Sequence, residues 1–355
     1  MHMADALISP AVGCTIWAAS AGLIYYCSKR AKEELDEKKI PLMGVLGAFI
    51  FAAQMINFSI PGTGSSGHLG GAMILSILLG PYAAFLTMSS ILTVQALFFA
   101  DGGLLALGCN IFNLGFFPCF IAYPFIYKKI VGNNPTHGRI LSGATLAAVV
   151  GLQLGALGVV IETVLSGISE LPFLTFILLM QPIHLAIGII EGLVTVAVVL
   201  FVWKARPEIL ERVEASESFG KLSVKNVVVG FLVAAVIIGG AISWFASGNP
   251  DGLEWAMFRT SGTEELEAPH TVLHTSLAKI QEKIAFMPDY DFKDNATETE
   301  TVAEIEPATE PKSDESPSIV QTGTSVAGII GGGLTLLMAA LLGFVVKKRA
   351  SSENV

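Results

Sequence analysis

The first two residues carry groups that could bind a metal ion before the protein folds. In Met1-His2-Met3, the terminal amine, the amide nitrogen of His2 and Nδ1 of its ring can close two chelate rings on one divalent cation. A second histidine would complete a near-planar set of four nitrogens, which suits Ni(II), Cu(II) and, less strictly, Co(II). A histidine beside a chain terminus is more often a frayed surface residue. The metal hypothesis therefore depends on what the fold brings to His2.

The composition places these residues in a membrane protein. Apolar residues make up 52% of the chain and charged residues 14%, and the mean hydropathy is +0.65. Runs long enough to cross a bilayer recur between residues 6 and 247 and again at 323–346. The first run lacks a preceding basic region and a small-residue cleavage site, so we expect a retained helix rather than a signal peptide. The cysteines form no C-x-x-C pair and are interpreted as apolar packing residues.

Nine helices are predicted from these runs, which makes the fold an all-α polytopic membrane protein. Their approximate ranges are 6–28, 41–58, 69–80, 82–100, 104–127, 140–165, 173–203, 226–247 and 323–346. Lys and Arg are enriched in cytoplasmic loops, and 16 of the 21 basic residues fall on one side of this topology. We therefore expect a multi-pass protein of the cell membrane with the N-terminus outside and the C-terminus in the cytoplasm.

A glycine-rich segment, residues 60–67, leads into His68 on the same side as His2. The predicted helix that follows is too short to cross about 30 Å of hydrocarbon alone. Part of the loop must then lie at membrane depth, where non-helical backbone is tolerated only when it lines a cavity or is buried in protein. The loop that carries His68 is thus a candidate pocket.

Several polar side chains lie near the outer ends of the predicted helices. They could line this pocket, or they could form hydrogen bonds that fix helix packing. The set is Asn57, Gln95, Asp101, Asn110, Asn113 and His184. Glu191 shares a helix face with His184 and lies deeper. It is predicted to be either ion-paired or protonated, and the sequence leaves both open.

The segment at 248–322 is acidic, with 16 Asp and Glu against five basic residues. We interpret it as a solvated external linker rather than an antenna that collects cations. Its second half, 295–318, is rich in Glu, Thr and Pro, a composition typical of disorder. Asn295 begins a glycosylation sequon, which is a weak signal.

Four motifs in order resemble the CbiM/NikM family, the substrate-binding S components of energy-coupling factor transporters for cobalt and nickel. They are Met1 to Leu7, Asn57 to Gly70, Leu97 to Gly108 with Asn110 and Asn113, and His184 to Thr195. The resemblance covers residues 1–205. Residues 226–355 resemble a PDGLE/CbiN-type unit of two helices around the external segment, with Pro250-Asp-Gly-Leu-Glu254 after its first helix. Residues 206–225 would form a cytoplasmic connector.

The resemblance implies a bundle of about seven helices that binds Ni(II) or Co(II) through the Met1 amine, the His2 amide and imidazole, and His68. The metal would be transported substrate, with no permanently bound cofactor. Import would be driven by ATP through a transmembrane T component and two ATPase subunits on separate chains. The chain would contact membrane lipid and no nucleic acid, and would not be an enzyme. The Irving–Williams order modestly favours nickel over cobalt.

Two other hypotheses stay open at this point. In a membrane metalloenzyme, the histidines would hold catalytic copper or zinc and Asp101 would be the general base. Turnover of a hydrolysable substrate would support that hypothesis. In a carrier that works without ATPase partners, uptake would persist after those subunits are deleted.

Overall fold

A computed structural model describes residues 2–132, 134–263, 266–292 and 322–353 of the chain. The predicted disorder at 295–318 and the sequon at Asn295 lie outside the described residues. The described residues are mainly helical, with one two-stranded sheet among them. The predicted all-α membrane class is confirmed.

Seven helices form the first part of the chain. They are α1 (Pro10–Ala31), α2 (Lys39–Gln54), α3 (Ala72–Leu79), α4 (Pro81–Phe98), α5 (Leu107–Val131), α6 (His137–Ser166) and α7 (Phe173–Ala205). A short 3-10 turn, Asp5–Leu7, precedes them. Helix α5 has π-helical hydrogen bonding over Phe112–Tyr127, where Pro118 and Pro124 each lack the N–H that a regular α-helix needs.

The predicted second helix, 41–58, ends earlier than expected, at Gln54. The chain then forms an antiparallel hairpin of β1 (Phe58–Ile60) and β2 (Ser65–Gly67). Gly62 and Gly64 in its turn have φ of +77° and +75°, a conformation that glycine adopts without steric cost. The segment predicted as an irregular loop is therefore a small, ordered sheet that leads directly into His68.

The described residues of the second part of the chain form five further helices. They are α8 (Pro207–Glu214), α9 (Lys225–Gly240), α10 (Gly252–Ser261), α11 (Val272–Ile284) and α12 (Thr322–Glu353). Short 3-10 turns lie at Ile242–Phe245 and Pro288–Tyr290. Helix α9 ends at Gly240, seven residues before the predicted end at 247.

Six helices in the described part of the chain are long and apolar enough to cross a membrane, namely α1, α4, α5, α6, α7 and α12. Helices α2 and α9 have 16 residues each, or about 24 Å. Helix α3 has eight residues, or about 12 Å. In the described part of the chain, six of the nine predicted spans are thus long and apolar enough to cross a membrane, α3 is too short to cross one alone, as the sequence indicated, and α2 and α9 are shorter than an ordinary span.

Helix α2 is enclosed because α4, α9 and α12 pack around it. Small residues allow the close contacts: a Cβ added to Gly44 would lie 2.9 Å from the carbonyl oxygen of Leu336. Helices α9 and α12 also meet at glycines, since a Cβ on Gly328 would lie 2.4 Å from the carbonyl oxygen of Gly239. Close backbone approach at small residues is a usual way for membrane helices to associate.

The interpretation of 248–322 as a solvated linker is wrong for its described first part. Helices α10 and α11 lie against the rest of the protein, where α10 buries apolar side chains and α11 buries His274. Leu253, Ala256 and Met257 are buried, at the i, i+3, i+4 spacing of one helix face. The high charge of the whole segment conceals this short amphipathic pattern.

Candidate metal site

The N-terminal segment is held in the protein by the side-chain amide of Asn110. Asn110 Oδ1 accepts a hydrogen bond from the Met3 N–H at 2.8 Å, and Asn110 Nδ2 donates to the Met3 carbonyl at 3.2 Å. The Gly103 N–H donates to the same carbonyl at 2.9 Å. The Met3 side chain is fully buried, and that of His2 is 7% exposed. The alternative that the terminus is frayed is thus wrong from His2 onward. Met1 lies outside the described residues.

Two further contacts fix the next turn of this segment. The Asp5 carboxylate accepts a hydrogen bond from the Ala106 N–H at 2.9 Å, and the Ile8 carbonyl lies 3.0 Å from Nε2 of His274. His274 belongs to α11 and is itself buried. The external segment therefore covers the start of the chain.

His2 and His68 lie side by side. Their ring centroids are 5.1 Å apart and their planes differ by 10°. His2 Nδ1 lies 3.1 Å from Asp101 Oδ1, and the Tyr290 hydroxyl donates a hydrogen bond to the same carboxylate. The chelate predicted from sequence needs Nδ1 of His2 for the metal, so metal binding would require the Nδ1–Asp101 contact to be replaced.

Asp101 is placed to remain ionised in this buried setting. Burial alone would raise the pKa of its carboxyl, but the contact with the His2 imidazole and the hydrogen bond from Tyr290 lower that pKa to about 2. A carboxylate is therefore present beside His2 at neutral pH.

The ring of His68 has its lone pair on Nε2. Its Nδ1 lies 3.1 Å from the Leu69 carbonyl oxygen, which can only accept, so Nδ1 carries the proton and Nε2 the lone pair. Burial lowers the pKa of His68 to about 3, which keeps the imidazole neutral. A neutral ring with a fixed tautomer is the form in which histidine binds metals.

The backbone after His68 is held by buried polar groups of three helices. Both oxygens of Glu191 accept hydrogen bonds, from the Gly70 N–H at 2.9 Å and from the Gly71 N–H at 3.0 Å. Gln54 Nε2 donates to the Gly70 carbonyl at 2.9 Å, and Gln95 Nε2 donates to Gln54 Oε1 at 3.0 Å. Gln95 thus acts through Gln54 on the loop that carries His68.

Glu191 forms no ion pair with another residue that the structure describes. Its carboxyl group instead substitutes for the backbone acceptors that the loop lacks. The signal in the sequence was a carboxyl group at membrane depth, which marks a functional or structural role without naming the partner.

Two other predicted pocket residues, Asn113 and Asn57, form hydrogen bonds away from the two histidine rings. Asn113 Nδ2 donates to Glu162 Oε2 at 2.7 Å and lies 3.9 Å from the Met3 sulfur, so it contacts the N-terminal segment and not a histidine ring. The carbonyl of Asn57 accepts from the Ser247 N–H at 2.7 Å, which joins the hairpin to the external segment.

His184 lines a narrow cavity beside the pair of histidines. The cavity is bounded by His68, His184, Asp251 and apolar side chains. His184 Nδ1 lies 2.7 Å from the Met180 carbonyl, so Nε2 carries the lone pair. That buried atom has no hydrogen-bond partner among the described residues.

Three residues of this region were not predicted from the sequence: Asp251, Tyr290 and Glu162. Asp251 Oδ2 lies 3.9 Å from His68 Nε2. The PDGLE motif that contains Asp251 was visible in the sequence, but nothing there indicated its neighbour. Tyr290 and Glu162 carried no recognisable signal.

Side chains alone do not form a metal centre here. No group of three or more His, Cys, Asp and Glu side chains in the part of the chain that the structure describes is arranged to hold a metal ion. A cation bound between His2 and His68 would therefore need ligands of another kind, such as the backbone nitrogens at the start of the chain.

The sequence is similar to known metal transport proteins. Residues 2–209 match the family described as the cobalt uptake substrate-specific transmembrane region, CbiM. A putative metal transport protein of Haloquadratum walsbyi is 35% identical over 212 residues, which cover 59% of this chain and 93% of the relative. A putative fused nickel transport protein of Archaeoglobus fulgidus is 34% identical, over 63% of this chain and 72% of the relative.

The fold agrees with the sequence comparison. A crystal structure of a truncated transition metal transporter superimposes with a TM-score of 0.52 at 31% identity, over 58% of this chain and 99% of that one. Residues 225–348 match a separate family, the PDGLE domain. The chain therefore belongs to the CbiM family of cobalt uptake substrate-specific transmembrane proteins and carries a PDGLE domain in the same polypeptide.

Proposed function

We propose that this chain is the substrate-binding membrane component of an ATP-driven energy-coupling factor importer for nickel or cobalt ions. Its relatives are named as nickel, cobalt or metal transport proteins, so the chain is a component of metal transport and not an enzyme. The ion is the cargo, and we propose no permanently bound cofactor. A T component and two ATPase subunits on separate chains would supply the coupling.

The stacked pair of His2 and His68 is the observation that carries this proposal. The proposed ligands are the Met1 amine, the amide nitrogen and Nδ1 of His2, and Nε2 of His68. The two hydrogen bonds between Asn110 and the Met3 backbone support this proposal because they fix the position of the neighbouring His2. The tautomer of His68 supports it because Nε2 carries the lone pair. Four nitrogens in a plane suit Ni(II) better than Co(II).

We also propose the arrangement of this component in the cell membrane. The N-terminus and the metal site would lie outside and the C-terminus in the cytoplasm, as the distribution of Lys and Arg favours. Residues 1–205 would form the metal-binding domain, 206–225 the connector and 226–355 the PDGLE unit.

Blocking the N-terminus tests the ligand set. Acetylation of the Met1 amine, or an N-terminal extension of several residues, should abolish high-affinity Ni(II) binding measured by calorimetry, although both histidines remain. His68→Ala should weaken binding by about 10–100-fold or more, as losses around a metal site do. His137→Ala, at an exposed position, is the matched control and should change nothing. Wild-type affinity after acetylation would show that the amine is not a ligand.

Metal uptake in cells tests the coupling. Uptake of labelled nickel should stop when the genes for the ATPase subunits are deleted while this chain is still present in the membrane. Uptake that continues at the wild-type rate would favour a carrier that works without ATP and would overturn the ATP-coupled account.

A further inference from the structure

The PDGLE turn, residues 250–254, is built into the wall of the metal site. The Ser66 N–H of the hairpin donates to the Pro250 carbonyl at 2.8 Å. Next to the turn, Trp255 Nε1 donates to the Thr63 carbonyl at 2.9 Å. These bonds connect the PDGLE turn and the residue after it to the hairpin that leads into His68.

Gly252 allows the turn to press against α7. A Cβ on Gly252 would lie 2.5 Å from Cγ2 of Ile183 and 3.2 Å from Cε1 of His184. The first distance is shorter than any real carbon contact, so no larger residue fits there without a shift. The turn therefore lies between the hairpin and α7 with no space to spare, next to the cavity that His184 lines.

The two oxygens of Asp251 have different roles in this arrangement. Oδ1 accepts from the N–H groups of Leu253 and Glu254 at 2.7 and 2.9 Å, which caps the N-terminus of α10. Oδ2 is directed at the site and lies 3.9 Å from His68 Nε2. With Oδ1 bonded to the cap, Oδ2 faces Nε2 of His68.

We propose that Asp251 is a metal-binding residue supplied by the PDGLE domain, and that its carboxylate holds the divalent cation in the site against release. This inference rests on the proposed function. The two proposed side-chain ligands, His2 and His68, are neutral imidazoles when they bind a metal. Burying a divalent cation without a negative charge nearby is costly. Asp101 supplies one carboxylate beside His2. Asp251 supplies the second beside His68, so the pair balances the charge of the ion.

The test compares two carboxylates of the same turn in the full-length protein. Asp251→Asn and Asp251→Ser remove the charge and keep a residue that caps a helix. Glu254→Gln removes one charge from the exposed side of the turn and keeps the capping box, in which Glu254 accepts from the Asp251 N–H. Affinity for Ni(II) and Co(II) is measured by calorimetry, and release by mixing with an excess of chelator.

Both Asp251 variants should raise Kd by about 10–100-fold, as residues around a metal do, and most of the change should lie in a faster release rate. Their Tm without metal should stay close to that of the wild type. Glu254→Gln should change Kd by less than about twofold, because Glu254 is exposed and Gln accepts the same hydrogen bond from the Asp251 N–H.

Two results would overturn the inference while leaving the proposed function intact. One is a wild-type Kd and release rate in Asp251→Asn and Asp251→Ser. The other is an equal loss in Glu254→Gln, which would mean that the general acidity of the segment acts at long range. If the wild-type protein binds neither ion, the proposed function fails and this inference fails with it.

Discussion

The hydrogen bonds that Glu191 accepts make the position of His68 sensitive to one buried side chain. Glu191→Gln keeps the shape of the side chain and replaces one oxygen by an NH₂ group. At present, one oxygen accepts from Gly70 at 2.9 Å and the other from Gly71 at 3.0 Å. In the variant, one of these N–H groups would face another donor. The backbone two and three residues after His68 would then lose one of its three hydrogen bonds to buried side chains.

The expected cost follows from the bond that is lost. A hydrogen bond to a carboxylate contributes about 1.5–3 kcal/mol to stability. If the loop then adopts another conformation in the metal-free protein, metal binding must restore the original one. The free energy of that change weakens binding and raises Kd by about 10–100-fold. If the loop stays in place, the same free energy appears as a lower Tm instead. The variant must therefore change at least one of the two quantities.

Gln181→Ala on the same helix is the matched control. Gln181 and Gln153 exchange side-chain hydrogen bonds with each other's carbonyls at 3.3 and 2.8 Å, and so link α7 to α6. Its loss should lower Tm and leave Kd for Ni(II) unchanged. Tm is measured by the fluorescence of a thiol-independent dye and Kd by calorimetry. A Glu191→Gln protein with the wild-type Tm and Kd would refute the role assigned to this carboxyl group.

Three further predictions concern other contacts of the site. Asn110→Asp replaces the donor that faces the Met3 carbonyl at 3.2 Å by an oxygen, so Kd for Ni(II) in calorimetry should rise by at least about tenfold; an unchanged Kd would mean that the clamp does not set the site. Tyr290→Phe removes the donor to Asp101 and should raise Kd by a few-fold without lowering Tm by more than a few degrees; a normal Kd would separate Tyr290 from metal binding. Gly71→Ala forces a side chain onto a backbone with φ of +82° and should lower Tm by several degrees, whereas an equal Tm would contradict the strain argument.

The membrane class and most helices were predictable from sequence alone. The run predicted as 140–165 is α6, His137–Ser166, and the run predicted as 173–203 is α7, Phe173–Ala205. These helices are long, apolar and bounded by polar residues, so composition over a window of about 20 residues suffices to find them. The prediction was poorer at 41–58, because the apolar residues Met55 and Ile56 continue the run past the end of the helix at Gln54 and Phe58 already belongs to strand β1. Short apolar runs do not distinguish a helix from a strand.

The candidate site could be predicted only in part. The types of His2 and His68 and their common side of the membrane were visible in the sequence, and their role as ligands remains a proposal. Glu191 was predictable as a buried carboxyl group, but its partners, Gly70 and Gly71, were not. The external segment was wrongly predicted to be a solvated linker. Its high charge dominated the composition, and the apolar face of α10 has only a few residues.

The sequence by itself determined that the protein is an all-α membrane protein, which polar residues are costly enough to matter, and which nitrogens could chelate a cation. Only the tertiary structure decided that Asn110 clamps Met3, that Glu191 holds the loop after His68, and that Asp251 faces that histidine. The physical reason is range. Hydropathy and helix periodicity are properties of residues that are close together in the sequence. These contacts instead join residues up to 183 positions apart, and such residues meet only because of how the helices pack.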